Sequence, residues 1–170
     1  PIIVQGYKEV YMKATFLACS FAGMTYVPID ENMPEDRKKN IARQINPELI
    51  IGKDISKDEI EKIMLKENKK DIDKIYMKPQ DVYYIIFTSG STGKPKGVEI
   101  TYDNLDSCVN WLRDIVKIHN GVILNQANFA FDLSVADLYL SLISESEHYI
   151  IDNNSKFDFK EIYDNLEKSQ

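Results

Sequence analysis

VYYIIFTSGSTGKPKGVEIT, Val82 to Thr101, reads as strand, polar turn, strand within twenty residues. VYYIIFTS is β-branched, aromatic and apolar, the pattern of a strand in a sheet covered on both faces. VEIT, after the turn, is a second short strand. TSGSTGKPKG, Thr88 to Gly97, holds three of the chain's seven glycines. Glycine reaches positive φ and lets successive backbone N–H groups turn toward one point. Thr88, Ser89, Ser91 and Thr92 add hydroxyl donors, and Lys94 and Lys96 add charge. This is the composition of a phosphate cradle. It is not the Walker loop, which needs G-x-x-x-x-G-K-[ST] running into a helix. Here two residues separate Gly90 from Gly93, Pro95 follows Lys94, and a strand follows the turn. A glycine-rich hairpin is the alternative. Such a turn has little need of four hydroxyls and two lysines.

Working outward, strands and helices alternate. IIVQ reads as a strand, and YKEVYMKATFLACSFAG as a helix stopped by Gly23. TYVPID is a buried strand, PEDRKKNIARQI a helix starting near Pro34, and ELIIG a strand. Ser56 to Glu59 is a capping box that opens a polar helix fading near Asn68. Residues 66–80 are charged with mixed sign, as in a linker or solvated face. Thr101 can cap the helix YDNLDSCVNWLRDIV. VILNQA is then a strand, LSVADLYLSLIS a helix, HYIID a strand and FKEIYDNLEK a helix. The alternation predicts an α/β fold, a mainly parallel sheet with helices on both faces.

The 170 residues suggest one domain or part of a larger one. The opening on Pro1 without a Met, inside a strand, points to a piece of a longer chain. A net charge of −6 argues against nucleic acid as partner. No apolar run is long enough for a membrane span, and no signal peptide opens the chain. Cys19 and Cys108 lie far apart inside helical patterns and read as small buried hydrophobes. With His119 and His148 they form no metal-ligand spacing. Nothing demands an oxidising compartment, so the expectation is cytoplasmic.

A second motif is NQANFAFDLSVADLY, Asn125 to Tyr139. Asp132 sits among Phe129, Phe131, Leu133 and Val135. A carboxylate buried there needs a cation or donors. One reading makes Asp132 the helix cap. The other makes Ser134 the cap, through the pattern Ser134–Asp137, and frees Asp132 to face a pocket and meet an ammonium.

YYIIFTSGSTGKPKGVEIT resembles the signature loop of the adenylate-forming enzymes, which make an acyl-adenylate from ATP and a carboxylic acid. The resemblance covers nearly the whole chain, as a slice of that family's large N-terminal domain. It implies ATP phosphate contacts at Thr88, Ser89, Gly90, Ser91, Thr92, Gly93 and Lys96, with ATP and Mg²⁺ as cofactors. Phe131 to Ser134 match the FD-x-S motif of the amino-acid-activating branch. There the aspartate, here Asp132, binds the substrate amino group, and Leu133 and Ala136 fall at the substrate pocket. AGMTYVPIDENMPEDR is similar to a second block of that branch. The segment Leu124 to Tyr139 looks most like the ligases that load D-alanine onto a carrier protein. Against them, Asn128 replaces a usual proline and Ala136 a larger residue, and Ser144-Glu145-Ser146 replaces a glycine pair. Adenylation domains of peptide synthetases are the alternative, and a non-catalytic nucleotide or carrier-binding module is a more distant one. The implied partners are an amino acid and the phosphopantetheine thiol of a carrier protein. The family's catalytic lysine lies beyond Gln170, so these residues alone are expected to be inactive.

Overall fold

The structure, a computed structural model, describes residues 1–66, 77–89 and 94–151. The chain divides into two compact units, Pro1–Leu105 and Asp106–Gln170. The helix expected at residues 159–168 and most of the charged segment 66–80 lie outside the described residues.

The first unit is built on a five-stranded sheet. Its strands are β1 (Ile2–Gly6), β2 (Tyr26–Asp30), β3 (Leu49–Ile51), β4 (Val82–Ser89) and β5 (Pro95–Thr101), in the order β3-β1-β2-β4-β5. All neighbours are parallel except β4 and β5. The helices between the parallel strands are α1 (Val10–Phe21), α2 (Glu35–Ile45) and α3 (Lys57–Met64). The mainly parallel α/β arrangement expected from the alternation is therefore present.

Strand side chains alternate between faces, and the two faces bury different chemistry. Tyr26 faces α1, where its ring stacks on Phe16 with centroids 4.3 Å apart. Tyr84, its cross-strand neighbour, stacks on it at 5.6 Å. The next residue, Val27, faces the other way. It joins Ile3, Ile29, Ile85 and the α2 residue Ile41 in an aliphatic core. Four of these five side chains are 2% exposed or less. Each contributes about 1.5–3 kcal/mol on burial.

Helix ends follow the residues that flank them. Gly23 has φ +66°, and the Met24 N–H donates to Cys19 O while the Gly23 N–H donates to Ser20 O. This is a Schellman stop that a side chain at position 23 would strain. Ser56 and Glu59 exchange hydrogen bonds as a capping box on α3. Thr101 Oγ1 accepts from the Asn104 N–H, and the Asn104 side chain accepts from the Thr101 N–H. That closes the first turn of α4 (Tyr102–Val116). α4 crosses from the first unit into the second.

The second unit contains β6 (Val122–Asn125), α5 (Leu133–Ile143) and β7 (Glu147–Ile150). β6 and β7 pair in parallel as a two-stranded sheet, and α5 packs on both.

The two cysteines differ. Cys19 is buried, as expected, and burial pushes its thiol up to about 11. Cys108 is exposed on α4, against expectation, because the buried positions of that helix fall at Leu105 and Val109 instead.

One ion-pair cluster ties the loops at the carboxyl ends of β1 and β2 to α3. Lys57 Nζ bridges Glu9 and Glu31, the latter at 2.7 Å. The Tyr7 N–H donates to Glu9 Oε2 at 2.6 Å. Partial burial alone would raise the Glu9 carboxyl. The hydrogen bonds from Lys57 and from the Tyr7 N–H outweigh it and hold the carboxyl below its ordinary value of 4.5. A depressed carboxyl contributes stability that is present above its unfolded value and lost as pH falls through the folded one. Glu9→Gln is therefore expected to flatten the acid limb of stability against pH below about 4.5. At pH 7 it should cost at most about 1 kcal/mol, because the pair is partly exposed. Urea unfolding between pH 3 and 7 measures both effects.

Candidate functional site

The glycine-rich stretch lies at the tip of an antiparallel pair. β4 and β5 run in register from Ile85↔Glu99 to Ser89↔Pro95. Half of TSGSTGKPKG is therefore strand: Thr88 and Ser89 end β4, and Pro95, Lys96 and Gly97 begin β5. Gly90, Ser91, Thr92 and Gly93, named above as phosphate contacts, lie outside the described residues. The expectation that a strand and no helix follows the turn holds. The hairpin set above as the alternative to a cradle is also real as architecture. The hairpin sets the geometry, and the hydroxyls and lysines set what it can bind.

β4 is parallel to β2, so its far end reaches the carboxyl edge of the sheet. That edge is where open α/β sheets bind ligands. Thr88 and Lys96 are directly opposite and share one face of the hairpin, with Thr88 Oγ1 donating to Lys96 O at 3.4 Å. Thr88, Ser89, Lys94 and Lys96 are all exposed. The ammonium groups of Lys94 and Lys96 form no ion pair with another described residue. Two hydroxyls and two cations at a sheet edge suit a polyphosphate.

Two contacts hold the arms. Gln44 Nε2 on α2 donates to Pro95 O at 3.2 Å. Gly97 pairs with Phe87, and a Cβ there would lie 3.0 Å from Ile85 Cγ2 and 3.1 Å from Phe87 Cζ. Gly97 thus serves close packing, with the Phe87 ring lying over it. It does not supply the backbone freedom that the cluster of glycines suggested.

Asp132 lies in the second unit and is exposed, as are Phe131 and Leu133 beside it. The apolar setting read from the sequence is therefore not a buried one here. Of the two readings of the helix cap, the structure has the one that places it at Asp132. Asp132 is the N-cap of α5, its Oδ1 accepting from the Leu133 N–H at 2.9 Å. Ser134, the cap in the other reading, is the helix's second residue and is buried, with its Oγ donating to Phe131 O at 2.6 Å. A run of i→i+3 bonds winds into the helix: Phe131 N–H to Asn128 O, Ser134 N–H to Phe131 O, and Val135 N–H to Asp132 O. The hydroxyl of Ser134 is drawn into that run. Asp137, its expected capping partner, accepts from Asn125 Nδ2 at 3.2 Å instead. Among the described residues the Asp132 side chain accepts only from the adjacent N–H, which leaves most of its acceptor capacity open. Ala136, half-buried, stands four residues on and shares its side of the helix.

Among the described residues no three His, Cys, Asp or Glu gather as a metal site. His119 Nδ1 lies 3.1 Å from Ser144 O, a structural contact. No helix of the described residues is long and apolar enough to cross a membrane.

Comparison with known proteins agrees with this architecture. The family described as AMP-binding enzyme matches residues 1–170. The D-alanine–D-alanyl carrier protein ligase of Bacillus anthracis is 36% identical over 181 residues, covering 99% of this chain and 36% of the relative. The ligase of that name from Bacillus cereus is 37% identical over 182 residues, with the same coverage. The chain thus spans just over a third of the length of these relatives. The fold is similar to that of the nonribosomal peptide synthetase FmoA3 in its AMPPNP-bound form, with TM-score 0.83, 18% identity, and 97% of this chain and 18% of that one covered. It is also similar to O-succinylbenzoate coenzyme A synthetase from Bacillus subtilis in complex with ATP and magnesium, with TM-score 0.76, 16% identity, and 99% and 48% covered. The chain belongs to the AMP-binding enzyme family, and its α/β fold is that of the N-terminal domain of adenylate-forming enzymes.

If Gly97 is kept for space, Gly97→Val should destabilise the protein by about 1–3 kcal/mol. Adding Phe87→Leu should return part of that loss by freeing the space the ring fills. Urea midpoints of the two variants read this directly, and an unchanged midpoint for Gly97→Val contradicts the packing account.

Proposed function

We propose that the chain is the phosphate-binding and amino-group-binding portion of an ATP-dependent ligase that activates an amino acid, with D-alanine as first candidate. The observation that carries the reading is the pairing of two motifs in one family member. One is a hairpin tip with exposed hydroxyls and lysines at the carboxyl edge of the sheet. The other is an exposed aspartate at the start of α5 in the sequence FDLS. The 36% identity to D-alanine–D-alanyl carrier protein ligases supports the choice of acid.

In this reading Thr88, Ser89 and Lys96, with Gly90 to Gly93 between the strands, hold the β- and γ-phosphates. Hydroxyls and backbone N–H groups donate to the phosphate oxygens, and Lys96 offsets their charge. Mg²⁺ accompanies the triphosphate as its counter-ion. Asp132 accepts from the substrate ammonium, with Leu133 and Ala136 beside it at the side chain. So held, a carboxylate oxygen of the amino acid attacks the α-phosphorus. The new P–O bond forms as the bond to pyrophosphate breaks, and pyrophosphate leaves with the electron pair. The phosphopantetheine thiolate of a carrier protein then attacks the acyl carbon, and AMP departs. ATP, a thiol acceptor and two free cysteines suit a cytoplasmic setting.

The test is ATP–pyrophosphate exchange by the full-length protein with D-alanine, L-alanine, larger amino acids and a short fatty acid. Exchange with D-alanine is expected. A larger amino acid in its place would favour a peptide-synthetase adenylation domain, with Ala136 as the source of room. Asp132→Ala should lower kcat/KM for the amino acid about 100-fold, as for loss of one partner of a close charge pair. Lys96→Ala should act on kcat/KM for ATP instead. Wild-type exchange by the Asp132 variant would refute its role.

A further inference from the structure

We propose that Asn125, acting through Asp137, is a positioning residue for the loop that carries Asp132. The proposal rests on the reading of Asp132 given above.

Asn125 is the last residue of β6 and is fully buried. Its backbone is held by β7, whose following residue Ile151 donates its N–H to Asn125 O at 3.1 Å. Its side chain is held by α5, through Nδ2 donating to Asp137 Oδ2. The residues between, 126–132, are therefore closed at the base by a bond from the strand to the second turn of the helix. The interior of the loop is ordered from the same side. Asn128 is buried, and its Oδ1 accepts from the Ala130 N–H at 2.8 Å. Phe129 is buried, its ring 6.3 Å from that of His148 on β7. Gln126 is exposed at the start of the loop, Asn128 to Ala130 run buried, and the chain emerges again at Phe131 and Asp132.

Packing alone does not call for asparagine at position 125. Its Oδ1 is buried with no hydrogen-bond partner among the described residues. An unmet buried acceptor costs stability, and a leucine of similar volume would avoid that cost. What the asparagine supplies is the Nδ2 donor, and that donor is spent on a half-buried carboxylate, where a hydrogen bond is strong. The strand-to-helix tie sets where α5 begins relative to β6, and hence where Asp132 sits. Small displacements of a group that orients a reactant cost large factors in rate.

The experiment compares Asn125→Leu with the wild type in the full-length protein, by ATP–pyrophosphate exchange. KM is measured separately for ATP and for whichever carboxylic acid the wild type activates. We expect KM for the acid to rise about 10-fold while KM for ATP stays within about twofold. The reversed pair, Asn125→Asp with Asp137→Asn, restores a donor and an acceptor and should recover most of that loss. An unchanged KM for the acid, or an equal rise in both KM values, overturns the proposal. If Asn125→Leu does not fold, Asp137→Asn, which keeps an acceptor and removes its charge, gives the same split at smaller size. Asp132→Ala is run alongside. A silent Asp132 variant, or a wild type that activates only an acid without an amino group, refutes the ammonium reading. In either case the split in KM for the accepted acid still decides whether Asn125 positions the loop.

Discussion

β4 must be hydrogen-bonded on both sides, and the arrangement around the candidate phosphate loop follows from that. It is an apolar strand with four consecutive buried residues, Tyr83 to Ile86, so its backbone groups have to find partners within the protein. β2 supplies one side in parallel and β5 the other in antiparallel. The parallel pairing aims the far end of β4 at the carboxyl edge. The antiparallel pairing brings the chain straight back, so the glycine-rich turn has to be a hairpin tip. Thr25 Oγ1 donating to Val82 O at 2.6 Å anchors the start of the strand, and Gln44 donating to Pro95 O anchors the return.

Much of this was legible in the sequence because the signals were local. The alternation of strand and helix, the stop at Gly23, the capping box at Ser56 and the cap at Thr101 are each set by residues within a few positions of one another. The strand either side of the motif was legible for the same reason. How far those strands run into the motif was not. Lys96 and Gly97 look like loop residues by composition, and only the cross-strand partner Phe87 makes Gly97 a strand residue chosen for space.

The second motif shows the same limit. S-x-x-D is a sound capping pattern, yet Ser134 turns its hydroxyl to Phe131 O and Asp137 turns to Asn125, twelve residues upstream. A local rule was overridden by a contact that exists only once β6 and α5 have packed. The Glu9–Lys57–Glu31 cluster is likewise invisible to spacing, since Lys57 lies 48 residues from one partner and 26 from the other. Cys108 failed for a simpler reason: one helix face cannot bury every apolar position in an amphipathic pattern.

The extension of both strands into the motif also changes what it costs to grip a ligand. Fixing one residue's backbone costs about 1–2 kcal/mol of conformational entropy. A ten-residue loop clamping a triphosphate would meet that cost along its whole length at the moment of binding. Here Thr88, Ser89, Pro95, Lys96 and Gly97 already have their backbones set by the ladder. About half of the ordering that such a loop would need is then part of folding rather than of binding.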